Sequence, residues 1–513
     1  MKTFSFLRIP MIVIIFAGFV LVETFKLESS PHFEFDEGWT ALVARHWVEK
    51  GHYGLWLNGK PAPPTLNASF PTTGLVSLSF KGLGVGIWQG RLVGVLFMIG
   101  SFFLLFFLAR RLFNSKVALL TMAVLCLSPL PYKFHPLGIG RQILAEPQML
   151  FFLLAGYLCF LSSLTKPNLY MPLTVLLWGI ALITKAQVLP FFILALIAPL
   201  GMTFYQGKRK TASLLAIALF GSLLMSFWVS WVIEFLLQDQ TLPRIPVKDL
   251  HWIIALVFKR HIRVESLVEG LKYGWPIILG LGYGFWKWRK GLSQGRAPSE
   301  IFLVRLSLLL FAGGWLSWFL FLAIGYRRYL LPPVFIGSLF VADLINDLLE
   351  YGRFSFWRNR IGAYLHTIPM KIKTLIILVF LVGIGLGLSY MTFSERIKDF
   401  FFGSSDIPLF QAAQFLNNHI PPGGLVESYD SQLLFLLDRP YHCPPPQVNG
   451  ELTKRVFLRI PLTVDYDPLL ADPDYLVIGP FGHLWGLYDP VLGQNQFRLL
   501  RTFGLYDIYA RWR

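Results

Sequence analysis

The chain has 513 residues, of which 55% are hydrophobic and 15% charged, and its formal net charge is +17. Long apolar runs recur along most of it, near the length of about 20 residues that crosses ~30 Å of hydrocarbon. This excludes an ordinary water-soluble globular protein and predicts a polytopic helical membrane protein, because the runs are continuous rather than alternating. The excess of cations does not predict nucleic-acid binding, since most Lys and Arg lie in short loops between apolar runs.

The apolar runs predict about eleven membrane spans. The first, at about 9–25, is followed by a polar and aromatic loop at about 26–70. A Gly-rich apolar stretch at 71–86 is interrupted by Lys81 and predicts a helix lying in the membrane interface. The remaining spans are predicted at about 88–109, 117–132, 148–165, 169–184, 188–205, 212–237, 270–286, 301–325, 330–349 and 374–391.

A short acidic run, EFDEGW at 34–39, follows the first span. Charged residues are scarce in this chain, so three carboxylates within four positions indicate a function. A carboxylate of Asp36 or Glu37 held at the boundary between water and lipid would be partly desolvated, and a raised pKa would make it a better general base near neutral pH. The alternative is structural: Glu34 or Asp36 caps the short helix that follows, and the rest is a solvated loop.

A second acidic position, Glu146, stands just before Pro147 at the start of the span predicted at 148–165. A carboxylate at the edge of an apolar helix usually faces a cavity or a partner, although a charge beside a first-turn Pro also suits a simple helix start. Asp36 or Glu37, together with Glu146 or a His, could hold a divalent metal ion. No HExxH motif or comparable metal spacing is present.

Three cations interrupt the turns that the topology places on the outer face: Lys185, Arg327 and Arg328. This position runs against the positive-inside bias of membrane proteins. The planar guanidinium fork of Arg suits phosphate oxygens, so a lipid phosphate is the natural partner at this depth. The alternative is that these side chains reach ordinary lipid headgroups.

The loop charges predict a cytoplasmic N-terminus, because cations such as Arg110, Arg111 and those at 208–210 and 287–290 then lie inside. After about residue 392 the chain becomes rich in Pro, Asp and Tyr, with short apolar runs that predict a small α/β domain outside the membrane. The predicted organisation is therefore a membrane module at 1–391, with its site on the first outer loop at 26–70, and an extracytoplasmic domain at 392–513.

Five segments stand out in order along the chain: FDEGW at 35–39, LSPL at 127–130, GRQILAE at 140–146, LITK at 182–185 and RYLLP at 328–332. Together they resemble the GT-C superfamily of membrane glycosyltransferases. The resemblance is especially to family 39, the branch that includes the protein O-mannosyltransferases and the bacterial aminoarabinose transferase of lipid A. The five segments fall within roughly residues 1–350.

The resemblance implies an all-α GT-C fold whose large first outer loop carries the acidic pair. It also implies inverting transfer of a sugar from a polyprenyl-phosphate donor to a lipid, glycan or protein acceptor, at the outer face of the plasma or inner membrane. Asp36 matches the catalytic aspartate of the family, and Glu146 matches a second acidic position where many relatives have Asp. Lys185 and Arg328 match positions that would face the donor phosphate.

Two neighbours complete the predicted site. Arg327 would help to neutralise the leaving phosphate, and Glu146 and Glu37 would position the acceptor or hold the metal ion. Two other functions compete with sugar transfer. A transporter or flippase would need charges near the membrane midplane and an internal repeat, and a non-catalytic envelope assembly protein would depend on its C-terminal domain rather than on Asp36.

Overall fold

A computed structural model describes residues 18, 20–21, 23–65, 68–237, 256–293, 299–351, 406–459, 461, 466–494 and 496–512. Before residue 352 the described chain is almost entirely helical. The helices are α1 Phe35–Lys50, α2 Phe70–Leu83, α3 Ile87–Leu112, α4 Ser115–Cys126, α5 Pro136–Gly140, α6 Glu146–Ser163, α7 Pro167–Thr184, α8 Val188–Tyr205, α9 Arg209–Leu236, α10 Arg260–Ser293, α11 Glu300–Phe321 and α12 Leu331–Tyr351. Two 3-10 turns, Tyr132–Phe134 and Arg327–Leu330, and a small hairpin of β1 Leu55–Leu57 and β2 Lys60–Ala62 complete this part.

Within the described residues, seven helices are long and apolar enough to cross a membrane: α3, α6, α7, α8, α9, α11 and α12, the last extended to Arg327 by its 3-10 turn. The spans predicted between 88 and 349 each coincide with a helix. The span at 117–132 is shorter than predicted, ending at Cys126, and the span at 270–286 is the middle of the longer α10. The span at 9–25 lies mostly, and that at 374–391 wholly, outside the described residues.

The start of α1 follows from its acidic sequence. Glu34 and Glu37 form a reciprocal capping box, in which the Glu34 N–H donates to Glu37 Oε1 at 3.2 Å. Gly51, with φ of +71°, then ends the helix in the left-handed conformation that glycine adopts without strain. These two signals fix α1 to the part of the first loop that carries Asp36.

The apolar core of the helical bundle depends on close approach of α6 and α7. A Cβ on Gly156 would lie 2.3 Å from Trp178, so only glycine lets the indole pack against α6. The Trp178 indole N–H also donates to the carbonyl of Leu153 at 3.0 Å, which satisfies its polar atom in the apolar interior. Close helix packing through glycine is typical of membrane proteins.

The C-terminal residues form the predicted small α/β domain. Its strands are β3 Val426–Ser428, β4 Tyr441–His442, β5 Tyr475–Ile478, β6 Phe497–Phe503 and β7 Tyr506–Arg511. They form a five-stranded sheet of order β4-β3-β5-β7-β6, in which β3 is parallel to β4 and β5, and β7 is antiparallel to β5 and β6. The helices are α13 Ile407–His419, α14 Ser431–Leu436, α15 Pro446–Phe457, α16 Pro480–Trp485 and α17 Asp489–Leu492, with a 3-10 turn at Pro468–Ala471.

This domain and the first loop share one hydrophobic core. Phe35 of α1 packs against Tyr429 and Phe481, with ring centroids 4.9 and 4.4 Å away. The Ser431 hydroxyl donates to the Phe35 carbonyl at 2.5 Å, and a Cβ on Gly38 would fall 2.5 Å from the Gln432 nitrogen. The C-terminal domain therefore holds the N-terminal turn of α1 in place.

Candidate active site

Four of the six predicted site residues meet at one end of the helical bundle, where α1, α6 and the turn before α12 begin and α7 ends. Arg328 lies at the centre. Its Nη1 is 2.8 Å from Asp36 Oδ2, and its Nε is 3.0 Å from Glu146 Oε1. The Glu146 side chain is only 3% exposed, whereas that of Asp36 is 25% exposed. One carboxylate is thus enclosed, and the other remains open to an incoming molecule.

Lys185 completes the cluster from the last turn of α7. The chain leaves the helix at Thr184 in an extended conformation, and the Lys185 ammonium pairs with Glu146 Oε1, the same oxygen that Arg328 contacts. Burial lowers the pKa of Lys185, Glu146 opposes this shift, and Arg328 adds to it. Two cations therefore share Glu146, and Asp36 is the second carboxylate of the cluster.

Two tyrosines flank these cations. The Lys185 ammonium lies 5.9 Å from the centre of the Tyr329 ring, and the Arg328 guanidinium lies 5.2 Å from that of Tyr326. Aromatic faces at this distance attract cations, so the rings help to orient both side chains. Burial raises the pKa of Tyr326 to about 12, which keeps its phenol protonated at neutral pH.

Lys133 is a site residue that the sequence reasoning missed. It lies in the 3-10 turn Tyr132–Phe134, and its ammonium pairs with Oε1 of Glu34, the residue just before α1. Burial and, secondly, the nearby Arg328 charge lower the pKa of Lys133 to about 8. The available signal was its position: like Lys185, it is a cation in a loop that the topology placed outside.

Glu37 points away from this cluster. It is completely buried, and its carboxylate accepts two bonds from Arg91, at 2.9 and 3.0 Å, and one from the Ile143 N–H at 2.9 Å. Burial raises the pKa of Glu37, while Arg91 and the Ile143 N–H lower it. The role predicted for Glu37, positioning an acceptor or a metal, therefore finds no support in this geometry, because its oxygens are already occupied.

Arg327 also lies outside the cluster. Its guanidinium pairs with Glu269 of α10, with Nη2 at 3.0 Å from Oε1, and lies 5.5 Å from the Tyr273 ring. The phosphate contact predicted for Arg327 therefore has no support here, because the 3-10 turn directs consecutive side chains to different neighbours. Arg327 instead joins this turn to α10.

The side chains around Arg328 offer few free ligands for a divalent metal ion. Within the described ranges, no three His, Cys, Asp or Glu side chains converge on one point. Asp36 and Glu146 both form ion pairs with Arg328, so an ion bound to the two carboxylates would have to displace that guanidinium. The residues present suit a phosphate better than a metal, and a bound divalent ion stays a prediction.

Comparison with known proteins identifies the architecture. ArnT from Cupriavidus metallidurans, in the structure bound to undecaprenyl phosphate, matches with a TM-score of 0.64 at 16% identity, over 97% of each chain. Its apo state matches with a TM-score of 0.59 at 15% identity, again over 97% of each chain. The chain has the GT-C fold of membrane glycosyltransferases.

Two further comparisons agree with the GT-C fold. The apo oligosaccharyltransferase of Archaeoglobus fulgidus matches with a TM-score of 0.59 at 10% identity, over 98% of this chain and 74% of that one. A family sequence model described as dolichyl-phosphate-mannose-protein mannosyltransferase matches residues 73–231. No curated protein sequence is significantly similar to this chain. The resemblance drawn from the five sequence segments is thus confirmed, and the chain is a multi-pass membrane protein.

The family sequence model covers only part of the cluster. Residues 73–231 include Glu146 and Lys185, but neither Asp36 nor Arg328. Asp36 lies 110 positions before Glu146 in the sequence, and Arg328 lies 182 positions after it. Arg328 nevertheless lies 2.8 Å from Asp36 and 3.0 Å from Glu146. Within this GT-C fold, the tertiary structure therefore assembles a cluster that the family sequence model does not span.

Proposed function

We propose that this protein transfers a sugar from a polyprenyl-phosphate donor to an acceptor at the outer face of the cytoplasmic membrane. The observation that carries the proposal is the position of the Arg328 guanidinium. It pairs with the partly exposed carboxylate of Asp36 and with the buried carboxylate of Glu146, which also pairs with the Lys185 ammonium. A general base and cations beside it are what displacement of a phosphate from an anomeric carbon requires.

In the proposed reaction, Asp36 takes the proton of an acceptor hydroxyl or amine. The freed electron pair of that group forms a bond to the anomeric carbon from the face opposite the phosphate, so the configuration inverts. The bond between the anomeric carbon and the phosphate oxygen breaks, and the electron pair leaves with the polyprenyl phosphate. Arg328 and Lys185 stabilise the charge that develops on this phosphate, because guanidinium and ammonium groups in a site with little water act strongly on nearby charge.

Glu146 is a positioning residue in this proposal. Its single contacted oxygen holds both Lys185 and Arg328, and its burial leaves it little room to reach an acceptor. The choice of donor is supported by the fold, which is shared with the ArnT structure bound to undecaprenyl phosphate. The acceptor is proposed only as a lipid, glycan or protein with a free hydroxyl or amine.

The test compares Asp36→Asn with a matched change at Asp472, whose side chain is 73% exposed and pairs with Arg511 far along the C-terminal sheet. Cells lacking the gene are complemented with the wild-type chain or with either variant, and their envelope lipids and glycans are compared by mass spectrometry. We expect one glycosylated species to be absent with Asp36→Asn, although the protein is present in the membrane. The same species should return with Asp472→Asn. Full restoration by Asp36→Asn would remove Asp36 from the role of base.

A further inference from the structure

The membrane bundle carries a cationic cavity at the end opposite to Asp36. It has a volume of about 500 Å³ and lies between the C-terminal turns of α3 and α6. The residues that line it are Phe107, Arg110, Arg111, Leu158, Cys159 and Ser162. None of these takes part in the cluster around Arg328.

Helix geometry sets the depth of this cavity. Ser162 follows Glu146 by 16 positions on α6, which corresponds to about 24 Å along the helix axis. The hydrocarbon layer is ~30 Å thick, so the cavity lies near the membrane boundary opposite to the Asp36 cluster. Both α3 and α6 run from the Asp36 end toward it, because Arg91 near the start of α3 bonds to Glu37.

The cavity has a cationic rim and an apolar wall. Arg111 Nη1 donates to Ser162 Oγ at 2.8 Å, which holds one guanidinium at the rim. Arg110 is exposed and has no polar partner within the described part of the chain. Among the described residues, no carboxylate lines the cavity, so neither guanidinium is neutralised there. Guanidinium groups are suited to phosphate oxygens.

The apolar residues lie one turn closer to the membrane interior. Phe107 precedes Arg111 by four positions on α3, and Leu158 precedes Ser162 by four positions on α6, so each pair shares a helix face. The Phe107 side chain is 47% exposed. A phosphate at the level of the arginines would therefore carry its acyl chain alongside Phe107 and Leu158.

We propose that this cavity binds an anionic phospholipid of the leaflet opposite to the Asp36 cluster. The site takes a headgroup with a phosphate and no cationic group, because its rim offers two positive charges and no carboxylate that could pair with choline or ethanolamine. The site is independent of the proposed sugar transfer, and its occupant would hold the inner ends of α3 and α6 together.

The first test is native mass spectrometry of the full-length protein released from nanodiscs that contain phosphatidylglycerol and phosphatidylcholine. We expect the wild-type chain to retain phosphatidylglycerol. A double change, Arg110→Ala with Arg111→Ala, should weaken that retention by roughly tenfold or more. The matched control is Arg289→Ala with Lys290→Ala, which removes two exposed cations from the end of α10, outside the cavity. It should leave retention unchanged.

The second test uses the unaltered chain, so it does not depend on the folding of a variant. Cys159 lines the cavity, and Cys126, at the end of α4, does not. Phosphatidylglycerol should slow alkylation of Cys159, read by peptide mass spectrometry, and leave Cys126 unaffected. Equal loss of lipid in both double variants, equal retention of phosphatidylcholine, or protection of Cys159 by inorganic phosphate alone would overturn the proposal.

Discussion

Arg328 contacts both carboxylates of the cluster at once, which gives it a central place in the proposed reaction. It forms one ion pair with Asp36 and another with Glu146. A donor phosphate that approached Arg328 could take over the place of Asp36 on the guanidinium. Asp36 would then be free to turn toward the acceptor.

Arg328→Lys tests this arrangement without removing the charge. An ammonium lacks the planar fork and cannot bond to both carboxylates in the same geometry. We expect transfer to fall by about 100-fold, the usual cost of losing one charge-stabilising group, with little change in thermal stability. The matched control is Arg327→Lys at the adjacent position, which pairs with Glu269 instead. Similar activity in the two variants would show that Arg328 does not act through its fork.

Glu37 illustrates the opposite case, a carboxylate whose partners are all internal. Glu37→Gln should leave Arg91 with a buried charge that lacks its counter-ion, at a cost of roughly 3–5 kcal/mol. We expect a lower melting temperature and less protein in the membrane. Glu37→Leu combined with Arg91→Leu should recover part of the stability, since no buried charge is left unpaired. A Glu37→Gln variant of normal stability and no activity would return Glu37 to a catalytic role.

The sequence predicted which types of residue form the site and roughly where they lie. It did not predict which of two adjacent residues of the same charge belongs to the site. Asp36 and Glu37 are adjacent in the acidic run, and successive helical side chains point about 100° apart, so the sequence does not decide which of the two faces Arg328. The partner that settles the matter, Arg91, is 54 positions away in an apolar helix. The same limit applies to Arg327 and Arg328, whose different partners depend on how α10 packs.

At the scale of elements, α1 links the two parts of the molecule. Arg45 on its middle turn donates to the carbonyls of Phe435 and Leu437 at 2.8 and 3.0 Å. His46, also on α1, bonds to both parts. Its Nδ1–H donates to the carbonyl of Gly54 in the first loop at 3.0 Å, and the hydroxyl of Tyr441 in the C-terminal domain donates to Nε2 at 3.2 Å. The Tyr441 bond needs the neutral imidazole, because only an unprotonated Nε2 can accept.

His46 therefore predicts that the interface weakens in acid. Burial lowers the pKa of His46 to about 4, against an ordinary value of 6.5. Between these values the unfolded chain binds the proton and the folded chain does not, so the free energy of unfolding falls as the pH drops from about 6.5 to 4. The loss amounts to roughly 3 kcal/mol when integrated over this range.

The measurement for this interface is the melting temperature of the wild-type chain and of His46→Gln at pH 7 and at pH 4.5. Gln cannot gain a proton in this range, so the variant should lose less stability on acidification than the wild type. Equal losses in the two proteins would mean that other groups cause the acid sensitivity.

At the scale of the whole molecule, the helical bundle was predictable because each apolar run indicates a helix by its own length and composition, whatever it packs against. The shared core of the first loop and the C-terminal domain was not. Its contacts join residues nearly 400 positions apart, such as the Ser431 hydroxyl and the Phe35 carbonyl. The predicted division at residue 391 falls outside the described residues. Residues before and after it share the outer core, which is separate from the core of the helical bundle.

The orientation of the molecule in the membrane predicts on which side each of the two cationic clusters lies. The Arg328 cluster and the Arg110–Arg111 cavity lie at opposite ends of the bundle, and the loop charges predict that the Arg328 end faces outward. Lys60→Cys in the first loop and Arg289→Cys at the end of α10 place exposed thiols at these two ends.

An impermeant maleimide added to intact spheroplasts should label Lys60→Cys, while Arg289→Cys should react only after permeabilisation. The unaltered chain serves as the control for its own three cysteines, of which Cys443 is buried and the other two are partly buried. Reversed labelling would place the Arg328 cluster on the cytoplasmic side. A donor and acceptor would then have to be sought there, and the acidic first loop, with the domain that holds it, would face the cell interior.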